Sequence, residues 1–519
     1  MRPTRLAPVV AGAALALVFT GPATASAPAE SSARGAEALV VTDSVTDPDG
    51  SRHVHYDRTY AGLPVLGGDL IVHYAPDGTV RGTDRLGPVE VRLSSVTPTV
   101  AARDAAGLAA PGLVAGTATP RLVVWATGDA QALAWETTIS GVDSDGTPSE
   151  AHVISDARSG GQLDRWEAVT TFAPRGTTAT GSDAARSATI GDAGTGTGYY
   201  DGPVALTTTK SGASYQLKDP SRGNQSTVDM NNATTGAGTL FTDPDNKWGD
   251  GTVANRQSTG VDVQYGAAMT WDFYKTTYGR NGIKDNGKGA MSKAHYGRNY
   301  VNAFWNDGCF CMTYGDGAQN KHPLTALDVA GHEMSHGVTS ATAKLRYSGE
   351  SGGLNEANSD IFGTMVEFYA KNSKDVGDYL IGEKVDIFGT GKPLRYMDDP
   401  KKDGQSLSCW KVGAGNSDVH YSSGIGNHFF YLLSEGSGAK TINGVSYNSP
   451  TCDGSKVTGI GRDAAAKIWY TALTKYMTAT TTYKDARAAT LKAATDLYGA
   501  TSAQYKAVDA SWKGVAVTA

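Results

Sequence analysis

Apolar and polar positions alternate in short runs through the first third of the chain and take up helical spacing through the last. Residues 54–60 and 69–74 read as strands, closed by the turns Asp47-Pro48-Asp49-Gly50 and Pro76-Asp77-Gly78. An alanine-rich helical stretch follows near 99–110, with further strands near 121–125, 133–139 and 150–156. Between 174 and 198 the periodicity dissolves into Gly, Thr, Ala and Ser, which predicts a linker and a zone open to processing. Beyond it, 261–278 reads as an amphipathic helix with Val263, Ala267, Trp271 and Tyr274 on one stripe. A strand is predicted at 300–305 and helices at 324–336, 356–370, 461–477 and 482–498, the last stopped by Gly499.

Length turns this pattern into domains. A chain of 519 residues exceeds one ordinary core, so several domains are expected. The divisions predicted are 1–27, 28–95, 96–173, the linker 174–198, a strand-containing lobe at 199–340 and a helical lobe at 341–519. Residues 1–27 carry an export signal: Arg2 and Arg5, an apolar run from Leu6 to Phe19, then small-x-small sites at Ala23-Thr24-Ala25 and Ala25-Ser26-Ala27. That run is too short to span a bilayer, and no later one is long enough. The mature chain is expected to be extracellular, off the membrane and monomeric. Charged residues make up 19% and the net charge is −6, without basic blocks, which argues against nucleic acid as a partner. In an exported chain four cysteines suggest disulfides, and the pairing favoured is Cys409–Cys452 with Cys309–Cys311. The histidines at 53, 55, 73 and 152 are scattered and read as packing or surface residues.

Candidate chemistry is concentrated in His332-Glu333-Met334-Ser335-His336 and in the run 355–360. Residues four apart share one face of a helix, so His332 and His336 can address one metal ion, and Glu356 supplies a third ligand. Three ligands with an open position suit catalytic zinc. Glu333 is then a general base and Asp360 a hydrogen-bond partner that orients an imidazole. His420 and Tyr347 have the chemistry of oxyanion donors. Gly349-Glu350-Ser351-Gly352-Gly353 fits a serine nucleophile elbow, which makes a serine hydrolase using Ser351 a competing reading. A secreted zinc- and calcium-binding module without turnover is another, and Glu333 argues against it, because a structural zinc site has no use for that carboxylate.

The motifs 302–305, 332–336, 355–360, 419–425, 459–463 and 494–499 together resemble the thermolysin-type neutral metallopeptidases. Arg58-Thr59-Tyr60-Ala61-Gly62-Leu63-Pro64-Val65 and Gly67-Gly68-Asp69 resemble that family's two-part propeptide. The resemblance implies an α+β fold: a two-lobed catalytic domain with the zinc helix between a β-rich and a helical lobe, behind a propeptide at 28–95 and 96–173. It implies a self-processed zinc endopeptidase acting on peptides and proteins, with the propeptide as folding aid and inhibitor. Asn302, Ala303 and Arg395 would hold the substrate backbone. Val329, Ile381 and Leu394 would line an apolar pocket for the residue after the cut. Structural calcium maps to Asp328, Glu367, Asp378 and Glu383, as one ion rather than two because Leu380 stands where the family has a carboxylate. Asp243 and Asp245 match another calcium turn. His420's expected carboxylate partner is Gly415 here, with Asp418 two residues before the imidazole as the substitute.

Overall fold

The computed structural model describes residues 37–110, 117–127, 130–143, 145–175 and 191–518. The predicted export signal and most of the predicted linker lie outside them. Among the described residues, no helix is long and apolar enough to cross a membrane.

The predicted N-terminal strands all form, and they form one sheet. Strands β1 (Glu37–Thr46), β2 (Arg52–Tyr60), β3 (Leu63–Tyr74) and β4 (Val80–Arg85) are joined to β5 (Thr117–Thr127), β6 (Ala130–Val142), β7 (Pro148–Asp156) and β8 (Gln162–Glu167). The link is a parallel pairing of β3 with β5, Val65 opposite Val124 and Leu66 opposite Trp125. The sheet is eight-stranded and continuous across residue 95, and the helix α1 (Ala102–Ala109) packs on it.

This sheet docks on the helical lobe through ion pairs that are partly open to solvent. Asp47 pairs with Lys475 and Asp84 with Lys492. His53 and His73 meet Nδ1 to Nδ1 at 2.7 Å, and each Nε2 lies 3.0 Å from its aspartate, Asp47 or Asp84. His55 Nε2 is 2.8 Å from the Thr474 carbonyl. The Arg346 guanidinium lies 4.6 Å from the Trp125 ring and 4.9 Å from the Trp166 ring. These histidines are packing residues, but of an interface.

His152 stacks on Trp166 with its ring 5.0 Å away. Burial lowers its proton affinity, but hydrogen bonds to Glu136 and Glu150 outweigh that and raise its pKa to about 9. A folded-state pKa above the unfolded value near 6.5 stabilises fully at lower pH, and the contribution fades as pH rises to 9. In the Glu333→Gln precursor, the N-terminal sheet should lose about 3 kcal/mol between pH 6 and 9.5, read by denaturant unfolding. His152→Gln should flatten that slope.

Within the strand-containing lobe predicted at 199–340, Asp192–Gly198 pairs with Gly202–Ser211, so the sheet begins ahead of residue 199. A second, seven-stranded sheet runs out to Ala303–Asn306, whose outer edge is covered by β9 (Thr170–Thr171). Helix α2 (Arg256–Tyr278) starts earlier than predicted and is buried on every face through most of its length, because it runs between sheet and helices. It carries no exposed polar stripe.

Helices α3 (Leu327–Ser340) and α4 (Gly349–Ala370) cross at glycines. A Cβ on Gly331 would lie 2.9 Å from Gly363 Cα, and one on Gly363 would lie 2.5 Å from the Asp328 carbonyl oxygen. Only hydrogen at both positions allows this approach, which brings the middle of α4 under the histidines of α3. The turn α5 (Val419–Ser422) and helices α6 (Gly424–Glu435), α7 (Arg462–Lys475), α8 (Tyr483–Tyr498) and α9 (Ala503–Gly514) complete the helical lobe. Both predicted disulfides are present, Cys309–Cys311 and Cys409–Cys452.

Candidate active site

His332 and His336 point inward from α3 and Glu356 rises from α4, all three fully buried and with donor atoms within 4.8 Å of one another. Each imidazole is held from its far side. His332 Nδ1 lies 2.9 Å from Asp360 Oδ1, and His336 Nδ1 lies 2.8 Å from Asn355 Oδ1. With both Nδ1 atoms occupied, both Nε2 atoms turn to one point, 2.9 Å apart. Burial lowers the His332 pKa to about 4, so the ring is neutral at pH 7, as a metal ligand must be. For Glu356, burial raises the pKa, but the His420 and His332 imidazoles outweigh it and hold it at about 2.

Beside this triad, neither carboxylate oxygen of Glu333 has a hydrogen-bond partner, and Glu356 Oε2 has none either. Buried carboxylate oxygens seldom stay unsatisfied. Two converging imidazoles, one carboxylate and an orphaned acid alongside fit zinc with an open position. Burial, then the charge of Glu356, pushes the Glu333 pKa well up.

Asp360 does more than orient His332. Its carboxylate also accepts from Arg395 Nε and Nη2, at 2.8 and 2.7 Å, and from Asn427 Nδ2 at 2.8 Å. It thereby ties Arg395 to His332.

His420 sits on α5 with Nδ1 2.6 Å from Asp418 Oδ1, so the nearer aspartate takes the place of the missing carboxylate at Gly415. The same aspartate accepts from the His420 backbone N–H at 2.9 Å and caps the turn. Burial lowers the His420 pKa, but Glu356 and Asp418 together raise it overall.

The cleft is filled by the chain's own residues 170–173. Thr170 and Thr171 pair antiparallel with Trp305 and Phe304. The Phe172 N–H donates to the Ala303 carbonyl at 3.0 Å, and the Phe172 carbonyl accepts from Arg395 Nη1 at 2.9 Å. Asn302 brackets Ala173, accepting from its N–H at 3.0 Å and donating to its carbonyl at 2.9 Å. The Thr171 carbonyl faces Tyr347 Oη at 3.1 Å and His420 Nε2 at 2.6 Å. The buried Phe172 ring stands edge-on to His332, 5.1 Å between centroids. It shares one core with Val329, Ile381 and Leu394.

Among the described residues, a second group that could hold a cation is Glu367, Asp375 and Glu383. Sequence reasoning missed Asp375, which lies in a polar loop without a recognisable spacing to the others. Asp328 and Asp378, expected in the same site, stand near enough for their charges to add to burial in raising the Glu367 and Glu383 pKa values, and they also accept from backbone N–H groups, of Val329 and Gly382 for the first and of Leu380 for the second. Among the described residues, Asp243 and Asp245 are not part of a group of three that could hold a cation. Asp243 accepts from the backbone of Asp245 and Lys247, and Asp245 pairs with the Lys247 ammonium at 3.2 Å. That turn is closed by its own hydrogen bonds.

Ser351 lies in the first turn of α4, where its hydroxyl donates to the Ser348 carbonyl at 2.9 Å. A nucleophile elbow needs a strand before the serine, and here the serine is already inside a helix. The serine-hydrolase reading fails on that geometry.

Known proteins are similar to this chain in sequence. Residues 193–340 match the family model "Thermolysin metallopeptidase, catalytic domain", and 343–517 match "Thermolysin metallopeptidase, alpha-helical domain". Residues 37–82 match the "Fungalysin/Thermolysin Propeptide Motif". The chain is 52% identical over 488 residues to the transglutaminase-activating metalloprotease of Streptomyces mobaraensis, covering 93% of this chain and 61% of that protein. It is 44% identical to a bacillolysin of Bacillus cereus, over 62% of this chain and 55% of the other. The chain thus spans less than two thirds of the length of these two relatives. With thermolysin of Bacillus caldolyticus it shares 36% identity over 503 residues, 93% of this chain and 86% of the relative. Among solved structures, the precursor of protealysin from Serratia proteamaculans matches at 28% identity and a TM-score of 0.43, over 57% of this chain and 87% of the other. Two family models that together match more than half of the chain, and a relative matched over most of its length, show that the chain belongs to the thermolysin family of metallopeptidases.

Proposed function

We propose that the protein is an exported zinc endopeptidase, made as a precursor, that hydrolyses peptide bonds on the N-terminal side of bulky hydrophobic residues. The observation that carries the reading is Glu333: a buried carboxylate with two unpartnered oxygens, next to three converging metal donors. Zinc held by His332, His336 and Glu356 would supply Lewis acidity at the scissile carbonyl and lower the pKa of the attacking water. Glu333 takes the proton of that water and delivers it to the leaving nitrogen. Tyr347 and His420 donate to the carbonyl oxygen as negative charge gathers there. Asp418 keeps the His420 imidazole turned so that Nε2 faces the substrate. Asn302, the Ala303 carbonyl and Arg395 hold the peptide backbone as an added strand, and Val329, Ile381 and Leu394 favour a large apolar side chain after the cut.

Digestion of unfolded casein by the mature enzyme tests the specificity. Leu, Ile, Phe and Val should follow most cuts, and cuts placed by Lys or Arg would contradict the pocket assignment.

One calcium ion fits the cluster of Glu367, Asp375 and Glu383, whose hard oxygens crowd together: Glu367 Oε1, Asp375 Oδ1 and Glu383 Oε2 have no hydrogen-bond partner, and the Lys384 ammonium stands 3.6 Å from Asp375 Oδ1. Calcium at one hundred times its Kd should add about 2.7 kcal/mol of stability. Asp375→Asn should abolish most of that calcium-dependent rise in Tm and leave kcat on a short peptide near wild type. Thermal scans with and without EGTA check it.

A further inference from the structure

We infer that the first self-processing cut falls between Thr171 and Phe172, made within one chain on a segment already seated as substrate. The inference rests on the peptidase reading above and adds the bond, which lies ahead of the Gly/Thr-rich stretch that composition alone marks as open to processing.

A hydrolysed bond must meet several conditions at once. Its carbonyl oxygen must sit on the oxyanion donors, and the Thr171 carbonyl is on Tyr347 and His420. The side chain after it must fill the apolar pocket. Phe172 does so, with its Cζ 3.2 Å from where a Cβ on Gly382 would stand and its ring beside a zinc ligand. The backbone beyond must be held by Asn302 and Arg395, and it is, through Ala173 and the Phe172 carbonyl. Moving the register by one residue breaks all of these together, since the Phe172 carbonyl belongs to Arg395 and a threonine or an alanine would enter the pocket.

The segment is also pinned on its far side. Arg175 Nη1 lies 2.5 Å from Asp143 Oδ2, just past the end of β6, and 3.2 Å from the Pro148 carbonyl at the start of β7 in the N-terminal sheet. The same sheet is anchored on the catalytic domain by its own contacts, such as Thr147 Oγ1 to Tyr300 Oη at 2.7 Å. The junction is therefore delivered to the cleft by a folded domain of its own chain, and the step is first order in precursor. In the reaction, water oxygen bonds to the Thr171 carbonyl carbon and the Thr171–Phe172 C–N bond breaks. Glu333 passes the water proton to the Phe172 nitrogen, leaving a Thr171 carboxylate and a Phe172 α-amine.

Time courses of purified full-length precursor test this, read by intact mass and N-terminal sequencing. The first products should be a fragment ending at Thr171 and one beginning at Phe172, appearing at a rate independent of precursor concentration. Phe172→Asp should slow processing about 100-fold, because a carboxylate must then enter an apolar pocket. Phe172→Leu should process within a few-fold of wild type, which separates pocket chemistry from misfolding. A first cut elsewhere, a rate that scales with concentration, or wild-type processing of Phe172→Asp would overturn the inference. If the chain still cleaves casein under any of those outcomes, the peptidase reading survives without it. Absence of casein hydrolysis by every processed form would instead remove that reading.

Discussion

Glu333→Gln lowers hydrolysis of a peptide substrate by about 1,000-fold and leaves the full-length precursor uncut. The amide keeps the size and burial of the carboxylate but takes no proton from water. Nothing else buried at the triad can replace it, because Glu356 is a metal donor and Asp360 is committed to His332, Arg395 and Asn427. Zinc content should be unchanged, since Glu333 is not among the three converging donors. A measured fall smaller than about tenfold would mean that another group carries the proton. Chelation would still abolish activity in that case, and the base rather than the metal would have been misassigned.

The second large effect belongs to His420. Its replacement by Ala should cut kcat about 100- to 1,000-fold with KM little changed, as expected for a donor that acts on charge developing in the transition state. Tyr347 also faces the Thr171 carbonyl, but its hydroxyl has one proton and lies 2.5 Å from Glu356 as well, so it cannot fully replace the lost donor. Asp418→Asn should cost about tenfold, the size expected for a residue that orients another. Wild-type kcat in Asp418→Asn would show that the imidazole is held by the surrounding packing alone, and wild-type kcat in His420→Ala would remove it from the mechanism.

The zinc ligands were legible because helical spacing is rigid. Two histidines four apart on α3 can only share a face, and a carboxylate on a neighbouring helix is close to the only way to complete the set. The strands of the N-terminal half were legible from alternation and turn chemistry, at β2, β3, β5, β6 and β7. Their assembly into one sheet was not, because the parallel β3–β5 pairing is a long-range contact without a local signature. Two helices escaped notice for different reasons. In α6 the run Phe429–Leu433 is buried all round, so it shows no amphipathic period. In α9 the signal was present, a Ser502 cap and Val508 with Trp512 one turn apart, but Gly499 read as the end of the helical region.

Functional residues divide the same way. The three metal donors sit in short motifs, and so do Asn355 and Asp360, which orient the imidazoles, whereas Asp375 and Phe172 lie outside any motif. Asn355 stood inside a recognised motif but received its role only when His336 Nδ1 was found on it. Asp375 depends on how the loop after α4 folds back. Phe172 lies in a stretch with no catalytic residue, and its role follows from where the whole N-terminal domain docks. The charges that dock it, Asp47 with Lys475 and Asp84 with Lys492, are more than 400 residues apart in sequence.

On the proposed function, one metal ion on His332, His336 and Glu356 makes this chain a peptidase. Mature protein stripped with 1,10-phenanthroline and titrated with zinc tests it most directly. Peptide hydrolysis should vanish on stripping and return in proportion to zinc, saturating at one equivalent per chain. Activity that persists in the stripped protein, or a return that needs no zinc, would contradict the account.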